Sequence, residues 1–250
     1  MWLWLKLFDL RVSYIMKTYS DVYKQRKLNV WLDISTYCNA ACPQCHRTNP
    51  ETLNKVDWLP LVQWSLEQFK MAFPVKTLKH IKNVQICGTW GDPGMNKDLL
   101  EICKYIIDNS NAFIFINTNG SMRDEFWWTH LGYIIKDRGR TIFCVDGVDQ
   151  EMHSHYRQKT DLDTVLENMK GYGKWGRVGV FTVIYKHNED YLKQINEMVK
   201  DVVVVEEHLC VPSDRAHHID VFKFYKDGEL NTLEHSPKYG KNKQGAAFTL

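Results

Sequence analysis

Hydrophobic and polar positions alternate along the chain in a way that predicts strands and helices in turn. Residues 28–35 (LNVWLDIS) alternate with the period of two that is typical of a strand. Residues 56–73 carry apolar side chains at helical spacing, with Asp57 as the expected N-cap and Pro60 in the first turn. Further strands are predicted at 83–88, 112–120, 141–147, 178–185 and 202–208, and further helices at 96–109, 123–137, 162–173 and 188–200.

These elements predict one α/β fold. Strands with helices between them form a parallel sheet that is wound in one direction. Since a complete barrel of this type has eight strand–helix units, we expect a partial (β/α)6 TIM-like barrel over residues 28–208. Residues 1–27 would be an N-terminal extension and 209–250 a short C-terminal extension, in which 219–233 predicts a β-hairpin with its turn at Asp227-Gly228.

Charge and composition narrow the classes of function. Lys and Arg together number 32 against 30 Asp and Glu, and this net charge of +2 is not a strong nucleic-acid signature. No apolar run reaches the length of a membrane span. The apolar segment 1–16 is interrupted by Lys6, Asp9 and Arg11 and is not followed by a small-residue cleavage site. We therefore expect Met16 as the start, no signal peptide, no membrane partner and a cytoplasmic location, in which the seven cysteines stay reduced.

Three of the cysteines lie close together in CNAACPQC, at Cys38, Cys42 and Cys45. Thiolates at short spacing bind soft or borderline metals, and a structural zinc site has four ligands. Three ligands on one loop favour a cubane iron–sulfur cluster whose fourth iron stays open to a non-protein ligand. Zinc with a remote fourth ligand, such as Cys210 or a histidine, and thiols that cluster without a metal are the alternatives.

Three further polar motifs each follow a predicted strand. They are GTWGDPG at 88–94, INTNGS at 116–121 and VDGVDQ at 145–150. The carboxyl ends of parallel strands share one edge of the sheet, so we expect these motifs and the cysteine loop to surround one site. Taken alone, GTWGDPG and INTNGS are more typical of ordinary turns.

The CxxxCxxC spacing after the first strand, together with these motifs, resembles the radical S-adenosylmethionine (SAM) enzymes over roughly residues 28–208. The resemblance implies a [4Fe-4S] cluster on Cys38, Cys42 and Cys45, with the amino and carboxylate groups of SAM on the open iron. It further implies that an electron from a reductant such as flavodoxin or ferredoxin cleaves SAM. The resulting 5′-deoxyadenosyl radical would abstract hydrogen from a substrate that the sequence does not identify.

The resemblance also implies which residues bind SAM. Glycine lets backbone carbonyls approach the ligand ammonium, and Asp92 stands where a glutamate is commoner. Short polar side chains after the third strand would bind ribose or carboxylate, and an arginine would clamp the SAM carboxylate. The implied SAM-binding residues are Gly91, Asp92, Pro93, Thr118, Asn119, Gly120, Asp146 and Arg157.

Some positions depart from the family pattern. Gln44 stands where an aromatic residue often precedes the third cysteine, and Cys144 stands where serine is common. Only Cys210 follows the fifth strand, which argues against an auxiliary cluster. The remaining candidates are expected to be surface residues rather than ligands: His153, His155, His208, Cys210, His217 and His218.

Two other classes of function stay open at this point. One is an iron–sulfur electron-transfer or sensor module that never cleaves SAM. The other is a zinc-stabilised α/β binding domain.

Overall fold

The computed structural model describes residues 28–213, 221–239 and 248–250. The predicted N-terminal extension, the expected start at Met16, and His217 and His218 lie outside the described residues. Within the described part of the chain, no helix is long and apolar enough to cross a bilayer.

The predicted parallel sheet is present. One seven-stranded sheet has the order β1-β2-β3-β4-β5-β6-β9, in which β1 to β6 are parallel and β9 is antiparallel to β6. A separate antiparallel hairpin consists of β7 and β8. The strands are β1 (Leu28–Leu32), β2 (Ile81–Ile86), β3 (Phe113–Thr118), β4 (Gly139–Cys144), β5 (Arg177–Ile184), β6 (Val205–Pro212), β7 (Val221–Lys226), β8 (Glu229–Glu234) and β9 (Phe248–Thr249).

Helices connect the parallel strands, and aspartate side chains begin three of them. Asp124, Asp149 and Asp161 each accept a hydrogen bond from a backbone N–H of the first turn, which would otherwise lack a partner. The helices are α1 (Leu66–Ala72), α2 (Val75–Leu78), α3 (Leu99–Asn109), α4 (Glu125–Ile135), α5 (Gln150–Tyr156), α6 (Leu162–Gly173) and α7 (Leu192–Val202), with 3₁₀ turns at Pro93–Met95 and Lys136–Arg138.

The predicted helix at 56–73 is wrong in its first half. Helix α1 begins after Ser65, which forms a capping box with Gln68, so Asp57 is not an N-cap. The segment before it extends the edge of the sheet instead, because the Trp64 amide donates to the Ile34 carbonyl and the Thr36 amide to the Val62 carbonyl. Those long-range bonds satisfy backbone groups that a helix would have satisfied locally.

The sixth strand lies later than predicted. Val202 ends α7, and β6 runs from Val205 to Pro212 rather than over 202–208. Val203 packs against the core below the sheet and faces Gly173, where a Cβ atom would meet its Cγ2 at 2.2 Å. Val203 therefore packs against the C-terminal end of α6 and is not part of the strand. Cys210 lies within β6.

The main core lies between the helices and the outer face of the sheet, with Ile86, Ile116, Leu99 and Trp128 fully buried. The predicted β-hairpin is confirmed, and its turn at Asp227-Gly228 has positive φ at both residues. Phe224 and Leu233 of the hairpin pack in a second apolar cluster that contains Cys42. The C-terminal extension thus supports the cysteine loop.

Candidate functional site

A cavity of about 380 Å³ opens at the carboxyl ends of the parallel strands. Cys38, Cys42 and Cys45 line it, together with residues from the loops after β2 and β3 and the inner faces of β4, β5 and β6. The predicted convergence is therefore present for the cysteine loop and the motifs after β2 and β3, whereas no residue of the motif at 145–150 lines the cavity. Five of the implied SAM-binding residues line the cavity: Gly91, Asp92, Thr118, Asn119 and Arg157. The other three do not line it: Pro93, Gly120 and Asp146.

Backbone hydrogen bonds shape the cysteine loop. The Cys45 amide donates to the Cys42 carbonyl at 2.9 Å, and the Thr48 amide to the Cys45 carbonyl at 2.8 Å. The Ala41 amide donates to the Gln158 carbonyl at 2.9 Å, which ties the loop to the segment after α5. Cys42 is buried, whereas Cys38 and Cys45 are half-buried. The loop thus presents three thiols to one cavity from a backbone that its own bonds hold in place.

The donor chemistry of this loop fits an iron–sulfur cluster. Burial raises the pKa of the Cys38 and Cys42 thiols, and nearby Asp92 adds to the rise at Cys38. Thiolate ligands at these positions are therefore favoured only with positive charge beside them, which a metal centre supplies. No three His, Cys, Asp or Glu side chains of the described residues lie close enough to hold a single metal ion. Three thiols spread around a shared cavity suit a cluster that binds each of them at a different iron.

The loop after β2 lies against the cysteine loop. A Cβ atom on Gly91 would come within 2.2 Å of the Ser35 carbonyl oxygen, so only glycine fits there. The Asp92 amide donates to the Tyr37 carbonyl at 2.7 Å. Asp33 at the end of β1 accepts from the Thr89 amide at 2.8 Å. Close packing between the two loops is thus one physical reason for the glycine.

The Asp92 carboxylate joins the loops after β2 and β3. It accepts hydrogen bonds from the Thr118 hydroxyl at 2.9 Å, the Asn119 amide at 2.8 Å and the Gly94 amide at 2.9 Å. The side chain is buried, and burial raises its pKa although these hydrogen bonds oppose the rise. Asp92 therefore holds two walls of the cavity together.

Asn119 connects the third motif to the first. Its side-chain amide lies 3.6 Å from the Cys38 sulfur and donates to the Asn39 side-chain oxygen at 3.0 Å. Gly120 follows with φ of +73°, and a Cβ atom there would meet Phe143 at 2.7 Å. The turn after β3 needs this glycine for its backbone conformation and for space.

Behind the cysteine loop, Arg157 and Asp146 form a buried ion pair. Asp146 is fully buried and also accepts from the Val183 amide at 2.6 Å. The Nη1 atom of Arg157 lies 3.9 Å from the Cys42 sulfur. The charge of Arg157 is thus compensated on one side by a carboxylate and faces a cluster cysteine on the other.

Three predictions of surface exposure are wrong. His153 is fully buried; its Nδ1 accepts from the Asp146 amide at 3.2 Å, and burial lowers its pKa to about 4. His208 is buried between Thr182 and Asn196, at 2.8 and 3.1 Å, and Cys210 is fully buried in β6. Residues in these loops and strands looked exposed because periodicity does not reveal which loop residues later elements cover. His155, which was also expected at the surface, is half-buried and lies 3.0 Å from the Thr232 carbonyl of the hairpin.

Two residues of the site have roles that the sequence does not reveal. Arg47 is buried, lines the cavity and contacts backbone carbonyls of two different loops. Gln44 does not line the cavity; its side-chain oxygen accepts from the Tyr185 hydroxyl at 2.7 Å and the Ser213 hydroxyl at 2.8 Å. The available signal was their position in or just after the cysteine motif, since the Gln44 partners and Trp90 lie far away in the sequence.

Comparisons with known proteins give a curated relative and solved structures that share the fold. No protein-family model matches the chain. The chain is 26% identical over 152 residues to a probable GTP 3′,8-cyclase of Methanocaldococcus jannaschii, covering 60% of this chain and 47% of that protein. The chain therefore spans about half the length of the curated relative that it matches.

Solved structures share the fold. Streptococcus suis SuiB bound to S-adenosylmethionine superposes with a TM-score of 0.52 at 14% identity, over 70% of this chain and 37% of that one. SuiB bound to its precursor peptide SuiA superposes with a TM-score of 0.54 at 13% identity, over 76% of this chain and 40% of that one. The protein anSMEcpe with bound AdoMet superposes with a TM-score of 0.51 at 17% identity, over 69% of this chain and 48% of that one. These likenesses confirm the predicted α/β partial barrel.

Proposed function

We propose that this chain is a radical SAM enzyme. The sequence resemblance, the 26% identity to a probable GTP 3′,8-cyclase and the fold shared with SAM-bound structures support this proposal. The chain binds a [4Fe-4S] cluster through Cys38, Cys42 and Cys45 and binds SAM in the same cavity. When bound, the cluster supplies the electron that cleaves SAM into methionine and a 5′-deoxyadenosyl radical for hydrogen abstraction. The observation that carries this proposal is that three thiols of one loop share a cavity with the loops after β2 and β3.

We assign the SAM contacts to the residues of the rim. Gly91, Thr118 and Asn119 line the cavity beside the cysteines and provide short polar groups and close backbone approach for the methionine and ribose parts. Asp92, with Pro93 after it, acts by holding these loops together, because three protein donors already bind its carboxylate. Gly120 provides the turn that places Asn119.

Arg157 is assigned to the SAM carboxylate. Asp146 accepts from its Nε atom and holds the guanidinium in place. Nη1 lies on the side of Cys42, toward the cavity. A fixed guanidinium binds a carboxylate with two parallel hydrogen bonds, and the ion pair behind it sets its orientation.

The opposite wall of the cavity is assigned to the substrate. Its side chains come from the inner faces of β4, β5 and β6 and are mainly apolar: Ile142, Phe181, Val183 and Val211. SuiB binds a precursor peptide. For this chain we propose only that an uncharged part of the substrate lies against this wall, since the assigned wall residues carry no charge.

Two further parts of the proposal follow from the chemistry. The reaction needs a one-electron reductant such as flavodoxin or ferredoxin. It also needs reduced cysteines, and all seven are free, which supports a cytoplasmic location.

The test is anaerobic reconstitution with iron and sulfide, followed by reduction with dithionite in the presence of SAM. We expect about four irons per chain and release of 5′-deoxyadenosine, measured by liquid chromatography and mass spectrometry. The Cys42→Ala variant should lose both. Cys103→Ala removes a buried thiol in α3 outside the cavity and should retain both, which controls for loss of a cysteine as such.

Two other outcomes of this test would support the other two classes of function. A cluster that forms without SAM binding and without 5′-deoxyadenosine would replace this proposal with an electron-transfer or sensor module. Zinc without sulfide in anaerobically purified protein would replace it with a zinc-stabilised domain.

A further inference from the structure

Arg47 is a buried cation that connects two loops of the cavity. Its side chain donates from Nη2 to the Thr36 carbonyl at 3.3 Å, from Nη1 to the Ala40 carbonyl at 3.3 Å and from Nε to the Trp90 carbonyl at 3.2 Å. Thr36 and Ala40 flank Cys38 in the cysteine loop, and Trp90 belongs to the loop after β2. One planar group thus determines the spacing between the two loops.

Among the residues that the structure describes, no carboxylate forms an ion pair with Arg47. The residue is only 7% exposed, yet its hydrogen-bond partners are neutral carbonyls, and no ion pair within the described ranges includes it. Arg157, the other arginine of the cavity, pairs with Asp146. Burying a cation without a counter-charge is unfavourable, so a residue of this kind requires a different source of negative charge.

The cysteine loop provides that negative charge when its thiols are ligands. Arg47 lines the same cavity as the three cysteines, and its Nη2 and Nη1 atoms bond to the carbonyls of Thr36 and Ala40 on either side of Cys38. Three thiolates outweigh the charge of an oxidised cubane cluster, and each added electron makes the centre more negative. A nearby buried cation therefore stabilises the reduced centre more than the oxidised one.

We propose that Arg47 is a positioning residue with two effects: it clamps the cysteine loop to the loop after β2, and its buried charge raises the reduction potential of the cluster. The second effect rests on the proposed function, whereas the first is a property of the chain without the cluster. The two effects are separable because lysine preserves the charge but lacks the planar fork that reaches three carbonyls.

The test uses Arg47→Gln and Arg47→Lys in the full chain. Arg138→Gln is the matched control, because Arg138 also donates to two backbone carbonyls, of Ser110 at 2.9 Å and Ala112 at 3.1 Å, but at the opposite end of the strands. Hydrogen–deuterium exchange of the cluster-free proteins measures the clamp. Potentiometric titration followed by electron paramagnetic resonance measures the midpoint potential of the reconstituted proteins.

For the clamp, we expect faster exchange over residues 36–45 and 88–92 in both Arg47 variants and no change there in Arg138→Gln. Unchanged exchange in Arg47→Gln would overturn the clamp. If Arg47→Gln does not fold, Arg47→Lys decides in the same way, since it leaves the buried charge in place.

For the potential, we expect the reduced fraction of Arg47→Gln at a fixed potential to fall about tenfold, which corresponds to a shift of about −59 mV for one electron. Arg47→Lys should remain near the wild-type value. Equal potentials in wild type and Arg47→Gln would overturn the charge effect. If no cluster assembles in the wild type, the proposed function fails, and the exchange experiment still decides the clamp.

Discussion

The two walls of the cavity are built differently. The first wall consists of the loops after β1, β2 and β3, and polar side chains such as Arg47, Asp92 and Asn119 bind these loops to each other. The second wall consists of the inner faces of β4, β5 and β6, where apolar side chains such as Phe181 and Val183 line the cavity. Its polar network includes Asp146 and His153, which do not line the cavity, and Arg157, which does.

The first wall is assigned to the cofactor, which stays the same in every reaction, and the second wall to the substrate, which can differ. In the first wall, a changed side chain breaks a bond between two loops, and both loops contribute to the proposed cofactor site. In the second wall, the exposed side chains only pack, so they can change with the substrate while the network behind them keeps the strands in place. The predictions below test each wall in turn.

The largest effect is expected behind the second wall. Asp146→Ala should lower the free energy of unfolding by about 4 kcal/mol, because it leaves the Arg157 guanidinium without its carboxylate in a buried position. Urea denaturation of the cluster-free protein measures the loss. The double variant Asp146→Asn with Arg157→Met should recover part of it, since no lone charge remains. A loss below about 1 kcal/mol in Asp146→Ala would mean that water already solvates the pair.

In the first wall, Asp92→Ala should cost about 3 kcal/mol, because the Thr118 hydroxyl and two backbone amides lose their buried acceptor. Asp161→Ala is the control: this exposed N-cap also accepts a backbone amide, and its loss should cost about 1 kcal/mol. The same urea titration compares the two. Equal losses would contradict the view that Asp92 ties the loops together.

Acid should weaken the network behind the second wall. The pKa of His153 is lowered to about 4 by burial from the usual 6.5, so between these pH values the unfolded chain binds a proton that the folded chain does not. The contribution of His153 is therefore complete above pH 6.5 and falls by at most about 3 kcal/mol as the pH drops toward 4. Unfolding measured across this range should show a shallower pH dependence in His153→Gln than in wild type. Parallel curves would show that His153 does not contribute.

The smallest effect is expected at Cys144, which lines the cavity without binding another part of the wall. Burial raises its pKa to about 12, so it stays a neutral thiol. Cys144→Ser is nearly isosteric and should change the unfolding free energy by less than about 1 kcal/mol. By adding a hydroxyl for ribose, it should increase SAM affinity a few-fold in calorimetry. A weaker affinity would place Cys144 away from the SAM ribose.

Much of the fold was predictable because it depends on local pattern. Period-two and helical spacing located the parallel strands and most helices, and Asp227-Gly228 predicted the turn of the hairpin. The misplaced elements are those where a contact from a distant segment replaces a local one. Trp64 bonds to Ile34, just after β1, and Val203 packs against the main core. A single sequence pattern does not contain those distant partners.

The sequence by itself determined the chemistry of this protein: three thiols at a spacing that suits a cluster, and short polar motifs after successive strands, because ligand type and strand order are local properties. Only the tertiary structure decided which polar side chains support the site. Asp92 joins two loops, Arg47 is buried among backbone carbonyls, and His153 is buried beside the Asp146–Arg157 ion pair. Burial and hydrogen bonding depend on residues that are far apart in the chain, and only folding brings those residues together.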